Sequence, residues 1–131
     1  MPVSYLIDRD RHLVTLRVVG DLDEAMIRDV ERNLTADPAY DRDFDHILDV
    51  REGRNLIGSS AVLREMAARP IVNPGVRRAI VTESLLAYGM ARLFQAVHDA
   101  MGLQDEIRIF RGMDEAHAWL ATPRKGATRS V

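Results

Sequence analysis

The fold is decided by one stretch of the sequence, AIVTESLLAYGMARLFQAVHDAMGLQDEIRIF, residues 79–110. It opens on a short apolar run, Ala79 to Val81, which predicts a buried strand. Ser84 can cap a helix over Leu85–Met101, and Gly102 is well placed as its C-terminal cap. The last four residues of the stretch predict a second strand. A strand, a helix and a strand in succession are typical of a parallel β-α-β unit.

The predicted helix of this unit has large apolar side chains at helical spacing. They would form one face, which we expect to be buried on the sheet. The residues of this predicted core face are Leu86, Met90, Leu93, Phe94, Val97 and Met101.

Toward the N-terminus the same alternation of strands and helices continues. Residues 3–8 and 12–19 predict a β-hairpin, because the second segment alternates apolar and polar side chains around a polar turn. A helix follows, with Asp21 and Glu24 as its start signal, and Asp37-Pro38 ends it. Next come a strand over 44–50, a loop over 51–58 and a helix over 61–68, which Ser59 or Ser60 can cap.

Toward the C-terminus, the strand Ile107–Phe110 precedes a final helix over 115–121, with Asp114 as its cap. The complete order is β-β-α-β-α-β-α-β-α. It predicts the α/β class, with a mixed, largely parallel sheet of about five strands and helices packed against it. Residues 1–121 would form a single domain, and residues 122–131 a flexible C-terminal tail.

Composition narrows the class of protein. The 131 residues suit one domain, and the net charge of −2 gives no field that would favour nucleic acid. The absence of cysteine removes disulfides and thiolate metal sites. Neither a signal peptide nor an apolar run near 20 residues is visible, so we expect a cytoplasmic protein without integral membrane association. A homodimer is compatible with the base rates for soluble proteins, and the sequence leaves the oligomeric state open.

Two stretches carry a family resemblance. One is the strand Phe44–Arg51 with the segment Ile57–Leu63, and the other is the strand-turn-helix Ile107–Leu120. Together with the element order they resemble the STAS domain of bacterial anti-sigma factor antagonists. They resemble still more closely a group of small bacterial proteins related to STAS and to the Sec14 lipid-binding fold.

The resemblance implies a non-enzymatic regulatory or protein-interaction module. Its Sec14 side implies an apolar small ligand between helices and sheet, and hence, as an alternative, a lipid or small-molecule carrier or sensor. Regulatory STAS proteins have an Asp-Ser-Ser-Gly pattern in which a serine is phosphorylated. Here Ser59 and Ser60 match, but Gly58 and Ala61 replace the flanking Asp and Gly. The two serines are therefore candidates for a phosphate acceptor or for a plain helix cap, and caps are the commoner role.

Polar residues follow three of the predicted strands. In parallel sheets, ligands bind beyond the carboxyl ends of the strands, so these residues predict an edge for a ligand or a protein partner: Asp49, Arg51, Thr82, Glu83 and Arg111. A carboxylate cluster there could serve a small enzyme, which is a second alternative. A solvated rim of ion pairs is the simpler interpretation.

No recognisable catalytic set or phosphate-binding loop occurs in the sequence, and we expect no enzymatic activity and no cofactor. The four histidines lack the spacing of a metal motif, so no metal site is predicted. His46 is expected to be structural. His98 and His117 are expected on polar helix faces.

Overall fold

The computed structural model of the chain describes residues 3–54, 64, 67–69 and 71–123. Five strands and three helices lie in these ranges, in an order that follows the sequence prediction apart from the helix over 61–68, most of which lies outside the described residues. They are β1 (Val3–Asp8), β2 (Leu13–Asp21), α1 (Glu24–Ala36), β3 (Asp45–Arg54), β4 (Arg77–Val81), α2 (Leu85–Ala100), β5 (Glu106–Phe110) and α3 (Met113–Leu120).

The strands form one sheet in chain order, β1-β2-β3-β4-β5. The β1–β2 hairpin is antiparallel, and every other pair is parallel. The predicted mixed, largely parallel sheet of five strands is confirmed. β3 is longer than predicted, because it pairs with β2 as far as Arg54, whereas its pairing with β4 ends at Asp49.

The two faces of the sheet are covered differently. On one face, Val18, Val50, Ile80 and Ile107 pack with Ala91 and Phe94 of α2 and with Met26 and Val30 of α1. On the other face, α3 contributes Ala116 and Trp119 to a second apolar cluster with Ile47, Ala79 and Val81. Helices α1 and α2 therefore share a face, as right-handed crossovers that always step in one direction require.

The buried face of α2 differs from the prediction. Leu86 is 75% exposed, and Leu93 and Met101 are 38% and 37% exposed. Phe94 is buried and Met90 packs against the core, as predicted, but the other buried residues of the helix are Ala87, Ala91 and His98. Hydrophobicity alone favoured the leucines, but the hydrogen bond of His98 to Asp105 at 2.9 Å fixes the rotation of the helix about its axis.

The helix ends follow from their capping groups. Asp23, not Asp21, caps α1, because its carboxylate accepts the backbone N–H of Met26 at 2.9 Å. Ser84 caps α2 as predicted. Gly102 follows α2 with a φ of +69°, a left-handed conformation that favours glycine. Helix α3 begins two residues before the predicted start, after Gly112, and no side chain caps it.

The residues that follow α3 contact the body of the domain. Arg77 donates to the carbonyl and hydroxyl of Thr122, at 3.0 and 2.7 Å, and to the carbonyl of Pro123 at 3.2 Å. These two residues belong to the segment predicted as a tail. Residues 124–131 lie outside the described part of the chain.

Candidate ligand-binding site

The sheet brings several predicted site residues to one edge. Asp49 pairs with Val81, and Val81 pairs with Phe110, so Thr82 and Arg111 come one residue beyond the level of Asp49 on the two neighbouring strands. This is the carboxyl edge of the parallel strands, as predicted. We call Asp49, Arg51 and Glu83 the carboxyl-edge cluster.

Ion pairing dominates the carboxyl-edge cluster. The Arg51 guanidinium donates two hydrogen bonds of 2.9 Å to the two oxygens of Asp49, whose side chain is buried. These hydrogen bonds lower the pKa of the Asp49 carboxyl and outweigh the effect of its burial. Glu83 interacts electrostatically with Arg51. A carboxylate held ionised in this way suits an ion-paired rim better than acid–base chemistry.

Thr82 and Arg111 differ in their surroundings. Thr82 is 1% exposed, and its backbone N–H donates to the carbonyl of Phe110 at 3.0 Å. Its hydroxyl has no hydrogen-bond partner among the residues that the structure describes. Arg111 is exposed to solvent. Ser59 and Ser60 lie outside the described residues, so the cap and the phosphate acceptor stay predictions.

A cavity of about 140 Å³ lies between α1, α2 and the sheet. Ala87 and Ala91 face it from α2, where longer side chains would fill the space. Its described lining is apolar except for Glu31, His46 and Arg78. An apolar cavity of roughly 150 Å³ holds a molecule the size of benzene.

Arg78 is the centre of a buried polar group beside this cavity. Its Nη1 donates to Asp105 Oδ2 at 3.0 Å, and His98 Nε2 donates to the other carboxylate oxygen at 2.9 Å. The guanidinium carbon lies 5.9 Å from the centroid of the Phe94 ring. We call His46, Arg78, His98 and Asp105 the amino-end cluster, since they lie at the amino ends of β3, β4 and β5 or contact them.

His46 lies in the cavity wall as a neutral ring. Burial, helped by the nearby charge of Arg78, lowers its pKa to about 3. The Tyr40 hydroxyl donates its only proton to the Ile71 carbonyl at 2.6 Å, so His46 Nε2 donates to the Tyr40 oxygen at 2.9 Å. Burial also raises the pKa of Tyr40 to about 12. Both groups are therefore uncharged at neutral pH, and the structural role predicted for His46 fits these contacts.

Glu31 is the acidic group of the cavity wall. Its carboxylate is paired with the Arg69 guanidinium, and both side chains are largely buried. Burial raises the pKa of Glu31 in spite of the two arginines, Arg69 and Arg78, that act on it.

The sequence did not reveal the amino-end cluster. His98 was expected on a polar helix face, but it is 1% exposed and bonded to Asp105. One signal was present in the sequence. His46 and Arg78 alternate along β3 and β4 with Ile47 and Ala79, so they lie on the face that α1 and α2 cover. A charged residue at such a position is seldom buried without a partner.

Comparison with known proteins identifies the architecture. No protein-family model matches the sequence, and no curated protein matches it. Among solved structures, the chain is similar to an uncharacterized protein from the DUF3478 family of Shewanella loihica PV-4, which has a SpoIIAA-like fold. The two share 16% sequence identity, with a TM-score of 0.56 over 91% of this chain and 92% of the other. This chain has a SpoIIAA-like fold.

The SpoIIAA-like fold confirms the STAS-like architecture expected from the sequence. At this identity the likeness concerns the fold alone, and functions attach to sites rather than to folds. Within the described ranges, no group of three or more candidate ligands could hold a metal ion. Among the helices described, none is long and apolar enough to cross a membrane.

Proposed function

We propose that this protein is a non-enzymatic binding module that holds a small apolar ligand between α1, α2 and the sheet. The observation that carries the proposal is the cavity of about 140 Å³, with an apolar wall and three convergent polar side chains. A pocket of this composition is the usual form of a small-molecule site. An unfilled apolar cavity of this size would cost about 3 kcal/mol of stability, which a bound ligand would offset.

The size of the cavity bears on the ligand. A drug-sized or lipid-sized ligand needs roughly 300 Å³ or more. The cavity therefore suits a benzene-sized molecule better than a whole phospholipid of the Sec14 type. The protein would act as a sensor or carrier of a small molecule, and its cytoplasmic location stays a prediction.

A cavity-filling variant tests this function. Ala91→Leu places three more carbons in the cavity, whereas Ala100→Leu adds the same atoms on the solvent side of α2. We expect benzene-sized compounds to raise the melting temperature of the wild type and of Ala100→Leu, but not of Ala91→Leu. A ligand at 100 times its dissociation constant stabilises by about 2.7 kcal/mol. Equal responses of the two variants, or no response of the wild type, would contradict the proposal.

A protein-interaction role is the second candidate. Leu85 and Leu86 are 80% and 75% exposed at the start of α2, next to Glu83 of the carboxyl-edge cluster. Exposed leucines beside a charged rim are typical of a docking surface. Native mass spectrometry and solvent extraction after bacterial expression separate the two: a co-purified small molecule favours the ligand, and an apo protein that binds a partner through Leu85 and Leu86 favours docking.

We propose no catalytic turnover at the carboxyl-edge cluster. The pairing of Asp49 with Arg51 supports this, because a carboxylate bound bidentately is a poor proton acceptor. A hydrolase and transferase screen on the purified protein tests it. Activity that disappears in Asp49→Ala or Glu83→Ala would favour an enzyme instead.

A further inference from the structure

The geometry of Arg78 points to the chemical class of the ligand. We infer that the cavity binds a small carboxylic acid with an apolar body, whose carboxylate is held by Arg78. The inference rests on the proposed apolar site and deepens it.

Arg78 has hydrogen-bond donors to spare. A guanidinium carries five N–H donors, and within the described residues only Nη1 is engaged, by Asp105. The Phe94 ring lies against the guanidinium at 5.9 Å, which leaves the N–H groups on its rim available. Arg78 lines the cavity with a side chain that is 16% exposed. Arg78 therefore carries unengaged donors in the wall of the cavity.

Arg78 has one ion-pair partner among the described residues, Asp105. Asp105 divides its two oxygens between Arg78 and His98. Glu31, the other nearby carboxylate, is paired with Arg69. A ligand carboxylate would find a positive group already desolvated and held in place, and charge-assisted hydrogen bonds of this kind are the strong ones.

A cationic or neutral ligand fits the same wall less well. A cation would have to compete with Arg69 for Glu31, the one carboxylate in the described lining. His46 is neutral, and its Nε2–H is already bonded to Tyr40. A neutral hydroxyl could accept a hydrogen bond from Arg78, but it would bring no charge to the bond, and charge-assisted hydrogen bonds are the stronger ones.

Three compounds with one apolar body test the ligand class on the wild-type protein. Phenylacetate, 2-phenylethanol and 2-phenylethylamine share one eight-carbon skeleton, and its terminal carbon carries a group that is negative, neutral or positive at pH 7. Isothermal titration calorimetry should show phenylacetate binding at least about tenfold more tightly than the alcohol, and the amine binding most weakly. Comparable affinities for the alcohol and the acid would overturn the ligand class but leave the proposed apolar site standing. No binding of any of the three would overturn both.

Variants of Arg78 locate the head group. Arg78→Gln should abolish the preference for the acid, and Arg78→Lys should keep part of it, because an ammonium retains the charge without the planar fork. Arg108→Gln is the matched control: Arg108 also lies over an aromatic ring, Trp119 at 5.2 Å, but on the opposite face of the sheet. An unchanged preference in Arg78→Gln contradicts the inference. If Arg78→Gln does not fold, the wild-type ranking of the three compounds decides alone.

Discussion

The carboxyl-edge cluster and the amino-end cluster lie at opposite ends of the same parallel strands, and they are built differently. In the carboxyl-edge cluster, Asp49 and its partner Arg51 are two residues apart, and the arginine side chain is one-third exposed. In the amino-end cluster, Arg78 and Asp105 are 27 residues apart, and their side chains are only 16% and 10% exposed.

The sequence separation of each pair explains how deeply the pair is buried. Residues two apart on a strand lie on the same face and can pair without any contribution from the rest of the fold. A pair such as Arg78 and Asp105 forms only when β4, α2 and β5 are packed together. The first kind of pair lies at the rim of the sheet. The second kind lies in the interior, where Arg78 is part of the cavity wall.

Loss of Asp105 should have the largest effect on stability. Asp105→Asn leaves the Arg78 charge buried without its counter-charge, and breaking a buried pair from one side costs about 3 kcal/mol or more. Chemical denaturation would measure the free energy of unfolding. Asp99→Asn is the control, because the Asp99 side chain is 70% exposed and should matter by less than about 0.5 kcal/mol. Similar losses in the two variants would erase the distinction between a buried cluster and a surface one.

The contribution of Asp105 to stability should depend on pH. Burial raises the pKa of Asp105, but hydrogen bonds from His98 and Arg78 and the charge of Arg78 bring it below its ordinary value of 3.8. Because the folded pKa is the lower one, the stabilisation by Asp105 is complete above pH 3.8 and is lost as pH falls through the folded pKa. The stability difference between wild type and Asp105→Asn should therefore shrink in that acidic window.

Glu31 should show the opposite sign. Its pKa is raised by burial above the ordinary 4.5, so the folded state binds the proton more readily than the unfolded state. The stability of the wild type relative to Glu31→Gln should then increase as pH falls through the raised pKa toward 4.5. Denaturation midpoints at a series of pH values measure both effects. If the stability differences of Asp105→Asn and Glu31→Gln from the wild type changed with pH in the same direction, the opposite pKa shifts of Asp105 and Glu31 would be contradicted.

The carboxyl-edge cluster should give the smallest effects. Arg51→Met removes two hydrogen bonds to Asp49, but the Arg51 backbone N–H still donates to that carboxylate at 3.1 Å. We expect a loss of about 1 kcal/mol. Arg17→Met breaks an ion pair outside this cluster, with Glu52, in which both side chains are 54% exposed, and it should be indistinguishable from wild type in the same denaturation experiment. If Arg51→Met lost more stability than Asp105→Asn, the carboxyl-edge cluster would contribute more to folding than the amino-end cluster, contrary to this prediction.

The contrast also marks what the sequence could predict. The strands, the helix caps at Ser84 and Gly102 and the carboxyl edge depend on residues close in the chain, and local patterns predicted them. The rotation of α2 did not follow from its own pattern, because Leu86 and Leu93 are more hydrophobic than the buried Ala87 and Ala91. His98 decides that rotation, and its partner Asp105 belongs to another element. The family resemblance implied an apolar ligand between helices and sheet, but the pattern of α2 alone did not locate the cavity, since it is the space that Ala87 and Ala91 leave unfilled.

The chain-ordered sheet has a consequence for how the protein is made. Each strand pairs with the one synthesised just before it, so no later strand must be inserted between two earlier ones. Pairings of this kind keep the sequence separation of contacts low for a parallel sheet, which favours fast folding. The domain can thus assemble in the direction of translation. Arg78 cannot pair with Asp105, however, until the segment leading into β5 has left the ribosome. The amino-end cluster is therefore completed only near the end of synthesis.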